Sequence, residues 1–256
     1  MSVSPLLSLS LPLSPSLSQN TVLIRGLFRG KYHWGDLPQR LQGLFPQRRF
    51  ICLDIPGSGT RCKEISPCHI DAMVESLRNQ LPKDQPVDLI AMSMGGMIGL
   101  QWAHNYPQQV QSLLCINTTA SGFSRFYQRL RPQHYLTILS ALRADPERRA
   151  ELIYSMVSNR RPDQQTITDW AELERRYPMQ SGNFFRQLVA AMRFRAIKPS
   201  CPVCFISSLR DQLVSHHATQ ALALAWDCSL VINEQDGHDI PLDNPDWLCQ
   251  QLTEWL

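Results

Sequence analysis

An apolar run, Val87-Asp88-Leu89-Ile90-Ala91-Met92, stops at Ser93, and a helical-looking segment, Met97 to His104, begins four residues later. A chain that passes from strand to helix over so short a distance has to turn sharply. The small residues around the corner, Ala91, Gly95 and Gly96, let backbone approach backbone there. This geometry puts the Ser93 hydroxyl at the carboxyl end of a strand, above a helix N-terminus whose free N–H groups suit a developing negative charge. An ordinary buried serine in a strand–helix turn fits the hexapeptide equally well, so the decision rests on what the rest of the chain supplies.

Upstream, Thr21–Arg25 and Arg49–Asp54 read as strands, with helices over 35–44 and 69–81; in the second of these Ile70, Met73, Val74 and Leu77 share a face. Gly26, Gly30 and Gly35 punctuate the loop after the first strand, and Asp54-Ile55-Pro56-Gly57-Ser58-Gly59 the loop after the second. Val110–Asn117 is a further strand. Strand and helix alternate to this point, which predicts a mostly parallel sheet with helices on both faces. Residues 122–198 break the rhythm: they hold no convincing strand and four helical stretches, 132–143, 146–158, 163–176 and 182–195. The reading is a helical cap inserted over the carboxyl edge of a core made of 21–121 and 199–256. Strands resume at Cys201–Ser207 and Ser229–Asn233, a helix at 215–226 lies between them, and a last helix starts at Asn244-Pro245-Asp246. Residues 1–20 are rich in Ser, Leu and Pro and read as a loosely ordered arm with room for one edge strand.

Composition narrows the function classes. With 43% hydrophobic and 18% charged residues the chain is globular in type. A net charge of +3 gives no reason to expect a nucleic-acid partner. No apolar run approaches the roughly 18 residues of a spanning helix, so no membrane partner is expected. The first residues offer neither a basic n-region nor a small-residue cleavage site, so the expected location is cytoplasmic. The eight cysteines are scattered, as buried reduced thiols are; Cys201-Pro202-Val203-Cys204 has redox spacing but no second pair. Without an HExxH motif or paired CxxC no metal is expected, and no cofactor. His216 and His217 are adjacent and point about 100° apart on a helix. Within 122–198, fourteen Arg and Lys face seven acids, a local charge of +7 that attracts an anionic substrate or forms a solvated face.

A serine hydroxyl needs a general base to act as a nucleophile, and the base needs an orienting carboxylate. In a parallel sheet these groups meet in the crevice at the carboxyl ends of strands. Ser93 follows one strand, Asp211 sits in a polar loop after a later one, and His238 follows the last. Asp236 and Asp239 lie too near His238 in sequence to orient it across the crevice, and Asp227 follows a helix rather than a strand.

In these pieces, across residues 21–256, the sequence resembles the α/β-hydrolases. Arg25-Gly26-Leu27 stands where that family has His-Gly-x, Asp54 to Gly59 matches D-x-P-G-x-G, and Ala91 to Gly96 matches the nucleophile turn with alanine in place of the first glycine. Asp211 and Gly237-His238 complete the match. The resemblance, strongest to small carboxylesterase and thioesterase-like bacterial members, implies Ser93 as nucleophile, His238 as general base and then acid, and Asp211 as its orienting partner. It also implies an oxyanion hole from the backbone N–H groups of Leu27 and Met94, and cleavage of a small-molecule ester or thioester. Arg25, Phe28 and Trp34 are expected at the substrate, with His33 beside them at the entrance. Arg25 has two roles open: to anchor the loop by pairing with an acid such as Asp54, or to meet a substrate carboxylate. The same family holds acyltransferases, C–C hydrolases and lyases acting on anionic molecules, and the implied triad weighs against a purely ligand-binding member.

Overall fold

The computed structural model describes residues 20–256. The arm expected over 1–20 therefore lies, apart from Asn20, outside the described residues. In chain order the elements are β1 (Asn20–Ile24), α1 (Leu37–Leu44), β2 (Arg49–Leu53), α2 (Ile70–Arg78), β3 (Val87–Met92), α3 (Met94–Asn105) and β4 (Val110–Ile116). There follow α4 (Phe126–Arg129), α5 (Tyr135–Arg143), α6 (Pro146–Val157), α7 (Gln164–Arg176) and α8 (Ser181–Arg193). The chain closes with β5 (Val203–Ser208), α9 (His216–Trp226), β6 (Ser229–Asn233), α10 (Ile240–Asp243) and α11 (Pro245–Trp255). Two of these, α4 and α10, had no signal in the sequence, because a helix of four residues is too short to show a period.

The six strands form one sheet in the order β2-β1-β3-β4-β5-β6, and every pairing is parallel. β3 sits in the interior and is buried at all six positions, as its unbroken apolar run requires. Its one charged residue, Asp88, accepts from Arg48 Nη1 at 2.7 Å and from Ser112 Oγ at 2.7 Å. Alternation along the strands feeds two cores. Val22, Ile24, Leu89 and Ala91 face Val74, Leu77, Ile98 and Leu222 on α2, α3 and α9. Leu23, Ile90 and Met92 face Leu37, Leu41, Leu248 and Leu252 on α1 and α11. The segment between β4 and β5 is helical, with its own apolar cluster built by α6 and α7 around Tyr154, Ile167 and Trp170.

The cysteines are free thiols, and burial pushes Cys201 up to about 11 and Cys204 up to about 12, far from thiolate chemistry. Among the described residues no helix is long and apolar enough to cross a membrane.

Candidate active site

The turn after β3 is tight. Ser93 has φ 55° and ψ −121°, a strained conformation for a residue with a side chain. Three hydrogen bonds hold it: Ser93 N–H donates to the Ile116 carbonyl at 2.8 Å, and the Ser93 carbonyl accepts from Gly96 N–H at 2.9 Å and Thr118 Oγ1 at 2.6 Å. A Cβ on Gly95 would lie 2.3 Å from the Ile24 carbonyl oxygen, and one on Gly26 would lie 2.8 Å from Ser93 Cβ. The β1 loop and the serine turn thus pack backbone to backbone, which only glycine permits. The alanine at 91 is accommodated because Gly99 faces it: a Cβ at 99 would come within 3.2 Å of the Ala91 methyl.

Asp211 and His238 meet. His238 Nδ1 lies 2.6 Å from Asp211 Oδ2, and Asp211 Oδ1 accepts the backbone N–H groups of Leu213 and Val214, both at 2.8 Å. The carboxylate, 1% exposed, is thereby fixed on both oxygens. A proton on Nδ1 satisfies it and leaves Nε2 of His238 free to accept one. Asn117, at φ 48° after β4, donates from Nδ2 to the His238 carbonyl at 2.8 Å and accepts the Ser208 N–H at 2.8 Å. It ties the ends of β4 and β5 to the histidine loop, a role that a lone asparagine at a strand end does not announce in sequence.

Ser93 and His238 open onto one cavity of about 140 Å³ between the carboxyl edge of the sheet and α5, α6 and α8. Leu27, Phe28, Met94 and Arg25 line it too; Asp211 sits behind His238. Among the described residues the Ser93 hydroxyl makes no hydrogen bond, to His238 included. Met94 opens α3, where its N–H has no intrahelical acceptor, and Leu27 follows the glycine packed on Ser93. Phe28 has φ 69°; its N–H donates to Gln187 Oε1 at 3.4 Å and its ring meets Phe184 edge-on at 5.5 Å.

Two expectations need correction. Trp34 is not on the cavity wall: it is 1% exposed, packed in the core beside α1, with the Arg25 guanidinium 4.8 Å over its ring. Arg25 does not pair with Asp54, whose carboxylate is committed to Lys31 N–H at 2.5 Å, Thr60 N–H at 2.8 Å and Thr60 Oγ1 at 2.7 Å. Arg25 instead makes a bidentate pair with Asp239, at 3.0 and 2.5 Å. Both partners are almost fully buried. Burial alone would raise the Asp239 carboxyl, but the charge and hydrogen bonds of Arg25, helped by Arg29, hold it below its ordinary value. The arginine at 25 and the aspartate right after His238 therefore form one unit, joining the β1 loop to the histidine loop; an arginine replacing the family's histidine was the signal for such an acid.

The same loop carries Arg29 and His33. Burial, then the charges of Arg29 and Arg25, keep His33 well below the ordinary histidine range. Burial lowers Arg29 to about 9.

A profile of the α/β hydrolase fold matches residues 22–160 of the chain. A pimeloyl-[acyl-carrier protein] methyl ester esterase of Neisseria meningitidis is 29% identical over 99 residues, 39% of this chain and 36% of that protein. The human monoacylglycerol lipase ABHD6 is 23% identical over 229 residues, 80% of this chain and 66% of that protein. The chain thus spans about a third of the length of the first curated relatives it matches. Among solved structures, an esterase from Exiguobacterium antarcticum superposes with a TM-score of 0.76 at 18% identity, covering 94% of this chain and 92% of that one. A likeness at that identity speaks for the fold.

Proposed function

The chain belongs to the α/β-hydrolase fold family, and from that membership we propose that it is a serine hydrolase cleaving a carboxylic ester or thioester through an acyl-enzyme on Ser93. The observation that carries this is the buried Asp211–His238 pair, 2.6 Å long, opening onto the same cavity as the strained serine. The esterase and lipase relatives support it.

On this reading His238 Nε2 takes the Ser93 proton as the oxygen attacks the carbonyl, then returns it to the leaving alkoxide or thiolate. Asp211 holds the tautomer and stabilises the imidazolium. The N–H groups of Met94 and Leu27 receive the tetrahedral oxyanion, each such donor contributing roughly 3–4 kcal/mol to lowering the barrier. Water activated by His238 then releases the acid. Residues 122–198 act as the cap that walls the substrate, and 21–121 with 199–256 as the catalytic core. Acyltransferase, C–C hydrolase or lyase chemistry on an anionic molecule loses its argument from Arg25, whose guanidinium is engaged by Asp239.

The test is hydrolysis of p-nitrophenyl esters from two to twelve carbons, with labelling by a fluorophosphonate. The expected result is activity peaking at a short chain length, with kcat falling by about 10⁴–10⁶ in Ser93→Ala and no label on that variant. A labelled Ser93→Ala protein, or one that keeps its activity, overturns the assignment.

A further inference from the structure

Arg25 and Arg29 sit four residues apart in the same loop and line the same cavity, yet they are in different states. Arg25 is paired with Asp239. Arg29 is 7% exposed, and among the described residues its guanidinium makes no hydrogen bond and no ion pair; its Nη2 is buried without an acceptor. The two carboxylates whose charge reaches it are both taken, Asp239 by Arg25 and Glu174 by Arg149. Three guanidinium groups thus share two carboxylates, and the uncompensated positive charge falls on Arg29. Arg129, another arginine on the wall, has no carboxylate either and its Nε is unpartnered, but its two terminal nitrogens are spent on the carbonyls of Ala191 and Met192.

The Arg29 guanidinium stacks on Trp170 of α7, 3.7 Å from the ring centroid. Stacking fixes the plane of the group through its face and leaves its N–H donors, which lie in that plane, unanswered. A buried charged donor without an acceptor is costly to maintain, and a forked, pre-oriented guanidinium matches a carboxylate. Around it the cavity is otherwise largely aliphatic, with Leu27, Ile153, Met156, Val157 and Leu213 on its walls.

We propose that Arg29 is the recognition site for a free carboxylate on the substrate, so that the preferred substrates are short half-esters of dicarboxylic acids, or their thioesters, one carboxyl presented to Ser93 and the other held by Arg29. This assignment rests on the serine-esterase reading above. The length follows from volume: a cavity of about 150 Å³ holds a benzene, so 140 Å³ suits an acid of about four to six carbons.

The test compares monomethyl succinate, glutarate and adipate with their neutral dimethyl esters, and with butyryl glycolate, which carries its carboxylate on the leaving group. In the wild type kcat/KM favours the half-esters by about tenfold or more. In Arg29→Met the ratio of half-ester to diester falls by about 10–100-fold, the range for a charge-assisted hydrogen bond, and Arg29→Lys restores part of it. A wild-type ratio near one, or a ratio unmoved in Arg29→Met, overturns the proposal, and the wild-type arm decides even where the methionine variant fails to fold. An Arg29-dependent preference for butyryl glycolate over methyl butyrate, with half-ester and diester turned over alike, overturns the half-ester assignment and moves the recognised carboxylate to the leaving group. A second arm titrates Ser93→Ala protein with monomethyl adipate by calorimetry, with binding expected and lost in the Arg29→Met double variant. Binding through Arg29 without fluorophosphonate labelling of the wild type would sink the esterase reading alone; neutral-ester hydrolysis without carboxylate preference would sink the Arg29 site alone.

Discussion

The loops at the carboxyl edge of the sheet commit most of their buried polar atoms to directional partners, whereas the helices between β4 and β5 wall the same cavity with aliphatic carbon and turn large apolar side chains outward. On the first side Asp54 accepts three hydrogen bonds, Asp211 is fixed on both oxygens, and Arg25 and Asp239 close a buried bidentate pair. On the second, Leu136 is 78% and Phe126 73% exposed, while Ile153 and Met156 face the cavity. Hydrogen bonds fix positions to tenths of an ångström, and apolar packing fixes volume. On the proposed reading the sheet side sets where the reacting groups stand, and the helical side sets what fits between them. Substitutions in the two regions should fail in different ways.

The largest effect is expected at the Asp211–His238 pair. Asp211→Asn keeps an oxygen for Leu213 and Val214 but offers His238 an amide, so the imidazole adopts the wrong tautomer. kcat on a p-nitrophenyl ester should fall by about 10³–10⁴ with the fold intact, as read by steady-state kinetics beside circular dichroism. A fall below tenfold would mean that some other group orients His238.

Next is the Arg25–Asp239 pair. Asp239→Ala leaves a buried arginine without its counter-ion, which should cost about 3–5 kcal/mol in urea denaturation. The double variant Arg25→Met/Asp239→Leu should recover most of that loss, since removing both charges removes the desolvation burden. A single variant within 1 kcal/mol of wild type would show that water or another acid reaches Arg25, and the contrast between the two regions would lose its best example.

These two pairs also show how far the sequence could be read. The parallel alternation, the serine turn and the strand-end positions of Asp211 and His238 are local signals, because period-two and turn chemistry are written into consecutive residues. Asp239 as the partner of Arg25 is not local: 214 positions separate them, and only the packing of the β1 loop on the histidine loop brings them together. Trp34 was misplaced for the same reason, since an aromatic in a loop beside glycines reads as a pocket residue until the core behind it is seen. Among the buried arginines of the described residues, Arg25 and Arg78 have side-chain hydrogen-bond partners and Arg29 has none, and a missing partner leaves no mark in sequence.

A smaller effect is expected from His33. The unfolded chain takes up this proton near pH 6.5, the folded chain only well below, so between those values the unfolded state binds more protons and stability falls as pH falls. The slope is at most about 1.4 kcal/mol per pH unit, and less here because the ring keeps part of its surface open. Urea midpoints of wild type and His33→Gln should converge from pH 7 to pH 5.5; parallel curves would assign the acid sensitivity elsewhere.

The smallest effect separates the two regions most cleanly. Leu136 on α5 points outward, so Leu136→Glu gives up little buried area and exchanges one good helix former for another. Stability should stay within about 0.5 kcal/mol of wild type, and kcat/KM on a neutral ester within about twofold, because the change touches neither the cavity wall nor a hydrogen bond. A loss above 1 kcal/mol would require that this apolar surface is covered in solution, and a protein concentration series of the unfolding midpoint would identify a second copy of the chain as the cover. The helical side would then be fixed by an interface as firmly as the sheet side is by its ion pairs, and the difference in tolerance between the two would disappear.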